Sequence, residues 1–231
     1  VNDQQVGEFA DNVIMAGGVQ LVLALQNAGH AVVQFDNFEV RAAPGAGVPT
    51  FAPPPTLGPT PMPTDTPLPP TPPPKASTAG CPPSSAIAPA DWPLLMCDTF
   101  DDDSAEKWDV APVCDAMACN KRAIANGVFV WDIEAYTDCQ TQFPVPLGPV
   151  GDFYAAVDVY VVEESVGDVE YGLAFRVPDL DNQYSFQVGN NELFGAYRLL
   201  EGESTNLLVH EIPTGVLRPG EWNRLAVLTV G

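Results

Sequence analysis

The chain has 231 residues, of which 30 are acidic and 9 are basic, so its formal net charge is -21. Binding to nucleic acid needs a basic face, and an anionic membrane surface repels an acidic protein, so neither is an expected partner. Because no run of about 18 apolar residues occurs, membrane insertion is not expected either.

The first part of the chain, residues 1–42, has the pattern of β-strands. GVQLVLAL (Gly18 to Leu25) and the later run AVVQFDNFEVRA are rich in aliphatic, β-branched and aromatic residues. The polar QNAGH between them is typical of a short turn, so we expect a hairpin. Val33, Phe35 and Phe38 are candidate core residues. FDNF interrupts the strict alternation of a strand, which predicts a β-bulge.

The middle of the chain has the composition of a linker. Residues 43–92 hold most of the 25 prolines, interspersed with threonine. This composition predicts an extended polyproline II segment with a rise of about 3.1 Å per residue. Threonine that alternates with proline is also typical of O-glycosylated stalks. The candidate O-glycosylation sites are Thr50, Thr56, Thr60, Thr64, Thr66 and Thr71.

The last part of the chain, residues 93–231, returns to a β pattern. Runs such as FYAAVDVYVV, EYGLAFRV, QYSFQV and WNRLAVLTV are separated by turn residues, and no amphipathic helix is apparent. Strands at this spacing predict an all-β fold, an antiparallel β-sandwich.

The cysteines indicate an oxidising compartment. All five lie between Cys81 and Cys139, and with the acidic, Pro/Thr-rich composition they suggest disulfides and an extracellular or cell-surface location. Cys114 and Cys119 can close a short local loop. Cys97 and Cys139 lie on early strands that we expect to be neighbours. The predicted bridges are therefore Cys97–Cys139 and Cys114–Cys119, which leaves Cys81 over.

The order of motifs along the chain resembles a known family. CDTFDDDSAEKW, NGVFVWD, DFYAAVDVYV, YGLAFRVPDLDNQYSFQV, FGAYRLLEGE and PGEWNRLAVLTVG follow one another as in the first two-thirds of a concanavalin A-like, laminin-G-like jelly roll of secreted bacterial surface proteins. VNDQQVGEF, AGGVQL and FDNFEV resemble closing strands of that family, but here they open the chain. The resemblance implies a jelly roll that is split or permuted, with residues 1–42 as its C-terminal strands and residues 93–231 as its N-terminal two-thirds.

This order leaves three arrangements open. The two β parts can fold on each other within one chain, the first part can complete a neighbouring subunit as in donor-strand assembly, or the chain can be one period of a tandem array. In each arrangement we expect FDNFEV to pair with the CDTF strand and VNDQQVGEF to lie beside WNRLAVLTV, because each part covers the open edges and apolar face of the other. We favour exchange in a head-to-tail filament, since a heterologous contact that does not close propagates.

The sequence thus predicts an extracellular structural protein, a repeat unit or filament subunit whose partners are copies of itself. The alternative is a carbohydrate-binding module of a secreted or cell-wall protein, with Trp131 as the candidate aromatic residue that stacks on a glycan. No catalysis is expected. Asp132 and Glu134 alternate along a strand, but Val130 and Ala135 depart from the Glu-x-Asp-x-x-Glu pattern of related retaining glucanases.

A structural Ca²⁺ is the candidate cofactor. Jelly rolls often bind this ion through carboxylates and carbonyl oxygens. Asp98, Asp101 and Asp103 lie on the opening strand and its loop, and in the family fold the closing strand lies near it and brings Asp36 close. The candidate ligands are therefore Asp36, Asp98, Asp101 and Asp103.

Overall fold

The structure is a computed structural model, and it describes residues 1–44, 87–101, 107–162 and 166–231. The six O-glycosylation candidates, Cys81, Asp103 and most of the predicted polyproline segment lie outside the described residues. The described residues form β-strands and no helix, so no segment among them is a helix that could span a membrane.

The strands are numbered in chain order. They are β1 (Gly18–Leu25), β2 (Gly29–Ala42), β3 (Leu94–Asp98), β4 (Val113–Cys114), β5 (Ala118–Ala125), β6 (Val128–Ala135), β7 (Cys139–Pro144), β8 (Phe153–Val161), β9 (Val169–Asp179), β10 (Asn182–Gly189), β11 (Leu193–Leu200), β12 (Glu203–Glu211) and β13 (Asn223–Thr229).

Two antiparallel sheets pack against each other around one apolar core. Sheet A has the order β12-β11-β10-β9-β1-β7, and sheet B has the order β13-β8-β2-β6-β5-β4, with β3 paired to β2. The predicted all-β, antiparallel sandwich is confirmed. Its core takes inward-facing residues from every second position of the central strands, as the alternation of a strand requires.

The two N-terminal strands lie at the centre of the sandwich, one in each sheet. β1 is flanked by β7 and β9, and β2 is flanked by β6 and β8. The predicted hairpin is therefore wrong, because β1 and β2 do not pair with each other and residues 26–28 carry the chain from one sheet to the other. A short polar turn signals that the chain reverses, but it does not distinguish a hairpin from a connection between facing sheets.

The predicted bulge in FDNF is confirmed. The register of β2 against β8 shifts between Asp36 and Glu39, and Asn37 has a φ of 50°. Strict alternation from Phe35 would turn Phe38 out of the core, and the extra residue turns it back in. The three predicted core residues are fully buried: Val33, Phe35 and Phe38.

The bulge also places a buried carboxylate on the outer face of sheet B. Glu39 accepts hydrogen bonds from Arg41 Nε at 2.5 Å and from Arg224 Nη2 at 2.8 Å. Arg224 also donates through Nη1 to Asp158 Oδ1 at 3.1 Å. Charge-assisted bonds of this kind are the strong ones, so they fix β13 to β8 and β2.

The predicted pairing of FDNFEV with the CDTF strand is confirmed within the chain. Phe38 lies opposite Asp98 in the β2–β3 register. Just beyond it, Ala42 N donates to Pro93 O at 3.2 Å. Both ends of the proline-rich segment thus meet at one point, so closing the sandwich on itself does not require this segment to span any distance.

Residues 1–14 lie beside β13, as predicted for VNDQQVGEF, but they form no strand. Asn2 N donates to Arg224 O, and Arg224 N donates to Asn2 Oδ1, both at 2.8 Å. Farther on, Phe9 packs on the core with its ring centroid 6.1 Å from that of Tyr184. This segment therefore covers the core beside β13 through side chains, and Asn2 bonds to the main chain of the strand.

Asp11 fastens the same segment to sheet A. Its carboxylate accepts hydrogen bonds from Tyr184 OH at 2.5 Å, from Arg198 Nη1 at 2.6 Å and from Val13 N at 3.0 Å. Burial alone would raise the pKa of Asp11. The three hydrogen bonds and the charge of Arg198 outweigh burial and hold this pKa below its ordinary value.

Replacement of Asp11 by Asn should lower the free energy of unfolding at pH 7 by about 1.5–3 kcal/mol, the range for hydrogen bonds to a charged group. Since the folded-state pKa is depressed, the stabilisation is present above the unfolded pKa and is lost as pH falls through the folded pKa. Urea unfolding of both proteins at pH 7 and about pH 2 measures the difference, which should shrink in acid. The exposed Asp181→Asn is the control. A difference that is equally large at both pH values would contradict this account.

Candidate functional site

Amide side chains cover part of the outer face of sheet A. In β10 the core residues Tyr184, Phe186 and Val188 alternate with polar residues, which therefore face outward. In β7 the core residues Cys139 and Phe143 flank a similar alternation. The outward residues of these two strands define what we call the glutamine face: Gln140, Gln142, Gln183, Ser185 and Gln187.

The register of sheet A aligns this face across five strands. Gln187 lies opposite Gly195 of β11 and opposite Gly172 of β9. Gly172 in turn lies opposite Val22 of β1, and Val22 lies opposite Gln142 of β7. Neighbouring strands are about 4.8 Å apart, so this line is about 19 Å long. Small residues form its middle, and amides stand on β7 and β10.

Gly172 leaves the middle of this line without a projecting side chain. A Cβ atom built on this glycine would lie 3.0 Å from the carbonyl carbon of Phe186 and 3.1 Å from Gln187 Cα. The position therefore has no room for a side chain. The side chains of Gln140 and Gln187 hydrogen-bond to each other across this middle. Val22 beneath them is fully buried, so small residues form a floor that the amides cover.

The amides are only partly satisfied by one another. Gln187 Nε2 donates to Ser185 Oγ at 3.0 Å and to Gln140 Oε1 at 3.3 Å. Among the described residues, the buried Oε1 atoms of Gln142, Gln183 and Gln187 have no hydrogen-bond partner. A buried acceptor without a partner costs about 1–3 kcal/mol, so three on one face are a costly arrangement that needs a reason.

A carboxyl and a phenol stand beside the glutamine face. Glu170 Oε1 accepts a hydrogen bond from Gln26 Nε2 at 3.2 Å. Burial raises the pKa of Glu170, and the nearby Asp168 raises it further, although the bond from Gln26 opposes both. Tyr197 lies opposite Ser185, and burial, followed by the charge of Glu170, raises its pKa. Both side chains are half-buried.

Trp131, the candidate for sugar stacking, is not at the surface. It is fully buried, and its Nε1 donates to Asn120 Oδ1 at 2.9 Å. Phe129, Trp131 and Ile133 share the inward face of β6, which is flanked by β2 and β5. The prediction of an exposed Trp131 is therefore wrong. Large apolar residues at alternate positions of β6 were the sequence signal that Trp131 belongs to the core.

The structure does not bring the candidate calcium ligands together. Asp98 lies opposite the core residue Phe38, and its carboxylate accepts from Trp108 Nε1 at 2.9 Å inside the sandwich. Asp36 faces the other way, since its neighbour Phe35 points inward, and its carboxylate accepts from Asn37.

Asp36 and Asp98 thus occupy opposite faces of sheet B, so the four-residue ligand set is wrong as a cluster. Asp101 accepts a hydrogen bond from Thr99 Oγ1 at 2.9 Å. Within the described ranges, no group of three His, Cys, Asp or Glu residues could hold a metal ion. Calcium binding by the opening loop stays a prediction.

The acidic pair of WDIEAYTD faces outward on β6. Asp132 Oδ1 lies 3.0 Å from His30 Nε2 of β2. In the same register, Glu134 lies opposite His30. Asp132 therefore forms an ion pair with His30 when this histidine is protonated.

One of the two predicted disulfides is formed. Cys114 and Cys119 are bonded across the β4–β5 hairpin, as expected for a local loop. Cys97 is disulfide-bonded, but Cys139 is a free, buried thiol, so the predicted Cys97–Cys139 bridge is wrong. The physical reason is that β3 belongs to sheet B and β7 lies at the edge of sheet A, so the two strands are not neighbours.

No protein-family model, no curated protein and no solved structure matches this chain.

The glutamine face was not predicted from the sequence. Its signal was present in CQTQF and QYSFQV, where polar amides alternate with core residues. Which of these amides meet depends on the register of strands from distant parts of the chain.

Cys139 should resist thiol reagents in the folded protein. Burial raises the pKa of its thiol, and Asp138 and Asp115 raise it further, while a bond from Leu25 opposes this. We expect a water-soluble disulfide reagent to label Cys139 slowly in buffer and quickly in denaturant, as read by peptide mapping without reduction. Cys139→Ser is the control for assignment. Rapid labelling of Cys139 in buffer, or its recovery in a peptide linked to Cys97, would contradict the structure.

Proposed function

We propose that the protein is an extracellular glycan-binding module whose glutamine face binds a neutral oligosaccharide. The observation that carries this proposal is the set of three buried amide oxygens without partners on one face: those of Gln142, Gln183 and Gln187. Sugar hydroxyl groups can supply the missing donors, and they can also accept bonds from amide N–H groups.

The shape of the face supports a chain of sugars. Binding sites for small molecules combine a floor with a few placed polar groups, and here small residues lie beneath the amides of β7 and β10. A sugar chain that replaces the Gln187–Gln140 bond with bonds to its own hydroxyl groups reaches this floor. The half-buried ring of Tyr197 stands opposite Ser185 and offers an apolar surface to a pyranose ring. A ligand that lies along the register line contacts both sets of amides.

Charge favours a neutral ligand. The chain carries a net charge of -21, and the carboxyl of Glu170 stands beside the amides. An acidic sugar would be repelled at long range and would meet this carboxyl at short range. The Cys114–Cys119 disulfide supports an oxidising, extracellular compartment.

Binding should depend on individual amides of the face. Gln142→Ala and Gln187→Ala should each weaken binding of a neutral oligosaccharide about 10-fold, the loss expected when about 1.4 kcal/mol of hydrogen bonding is removed. Screening of the protein against neutral and acidic glycans, followed by calorimetry of the strongest hit, measures this effect.

Gln34→Ala is the matched control. Gln34 is also a buried glutamine whose Oε1 has no partner among the described residues, but it lies on β2 in sheet B. Gln34→Ala should therefore leave the affinity for the oligosaccharide unchanged. Absence of any hit at millimolar glycan, or an equal loss with Gln34→Ala, would overturn the proposal.

A second candidate function is a structural subunit that exchanges β1 and β2 between copies. The observation that favours it is the contact of Ala42 with Pro93, because a connection of about 50 residues joins two points that touch. At about 3.1 Å per residue such a segment could instead reach a neighbouring molecule. The exchanged and self-closed forms contain the same contacts, so exchange costs little beyond linker entropy and depends on concentration.

A cysteine pair across β2 and β6 distinguishes the two forms. His30 and Glu134 lie opposite each other and are both exposed, so His30→Cys with Glu134→Cys should cross-link by oxidation. Self-closed chains give monomers on a non-reducing gel, and a head-to-tail filament gives a ladder. The single variants control for linkage through native cysteines. A pair that gives only monomers at high protein concentration would contradict the filament.

A further inference from the structure

A groove lies where residues 1–11 diverge from β13. Its volume is about 390 Å³, and it is bounded on one side by β13 and on the other by the N-terminal segment. Apolar side chains of sheet A line it, among them Phe186, Phe194 and Leu208. An apolar groove of this volume beside a strand is a place where an additional chain can bury side chains.

β13 presents an open main-chain edge to this groove. It is the terminal strand of sheet B, with β8 on its other side. Both the N–H and the C=O of Arg224 bond to Asn2 and so point away from β8. Every second residue of a strand points the same way, so Ala226 and Leu228 present theirs to the groove as well.

Beyond Arg224, the outer main-chain edge of β13 has no hydrogen-bond partner in the described part of the chain. No hydrogen bond joins the main chain of Ala226 or Leu228 to a described residue on this side. The side chains here are also exposed: Leu228 by 47% and Val230 by 69%. An unpaired edge with apolar side chains is the surface to which an extended peptide adds as a further strand.

We propose that β13 and this groove bind an extended segment of a partner protein as an added β-strand. The partner segment lacks proline, carries apolar side chains at alternate positions that enter the groove, and carries Lys or Arg at the intervening positions. Its main chain bonds to Ala226 and Leu228. This site is separate from the glutamine face on the outer side of sheet A, so it does not depend on the proposed glycan function.

Most of the described chain is a poor occupant of this edge. Prolines interrupt most of residues 43–92, and because proline has no N–H to donate, those stretches cannot supply a regular ladder. The strands β1 and β2 are already flanked on both edges in their own sandwich. A second copy carries the same charge of -21, so charge favours a basic segment over a second copy at this groove. Charge complementarity therefore favours a basic partner, and Glu8 at the groove supplies a local carboxylate.

Synthetic peptides test this site on the whole chain. The probe is a labelled nine-residue peptide of alternating Val and Lys, measured by fluorescence anisotropy at physiological salt. The first control has the same sequence, but every second amide of the peptide is N-methylated. This removes the N–H donors of one edge and keeps the charge and the side chains. The second control has Glu in place of Lys.

We expect the Val/Lys peptide to bind and both control peptides to bind at least 10-fold more weakly. Ala226→Pro removes one outward N–H without removing a bond to β8, and it should weaken binding by a similar factor. Equal binding of the methylated peptide, or no binding of the Val/Lys peptide, overturns the proposal. If Ala226→Pro fails to fold, the comparison of the two Lys peptides on the unaltered protein still decides.

Discussion

The structure depends on the insertion of two N-terminal strands into the centres of two different sheets. β1 completes sheet A between β7 and β9, and β2 completes sheet B between β6 and β8. Without them each sheet would be divided into two parts with new open edges, and both layers of the core would lose central residues. The last 139 residues, 93–231, therefore do not contain a complete sandwich.

This constraint also sets the two surfaces that can bind other molecules. β1 joins β7 to β9, and so brings the amides of β7 within reach of Gln187 on β10. β2 holds β13 through the bonds of Glu39 to Arg224, and among the described strands β13 is the last of sheet B. The glutamine face and the groove at β13 are thus consequences of where the same two strands lie.

Much of the fold could be predicted from the sequence, because local patterns determine it. The aliphatic, β-branched and aromatic runs predicted the strands, and FDNF predicted the bulge that turns Phe38 inward. The short spacing of Cys114 and Cys119 predicted their bridge. Each of these features depends on residues a few positions apart, where side-chain periodicity and turn geometry are sufficient.

The errors concern which distant strands become neighbours. The turn after β1 suggested a hairpin, and Cys97 seemed close to Cys139, but the sheets separate both pairs. Trp131 was expected at the surface because tryptophan can stack on sugars. Its position on the same side of the strand as Phe129 and Ile133 indicates the core instead. The glutamine face could not be predicted, because it is assembled by registers between strands that lie far apart in the sequence.

Hydrogen exchange of the dilute monomer tests most directly whether β1 and β2 are central strands of their own chain. The account predicts that peptides covering residues 18–25 and 29–42 exchange as slowly as those of β9 and β10, and that their protection does not change on dilution. Fast exchange of residues 18–42 in the monomer, with protection that appears only at high concentration, would contradict it and would show that these strands belong to a neighbouring molecule.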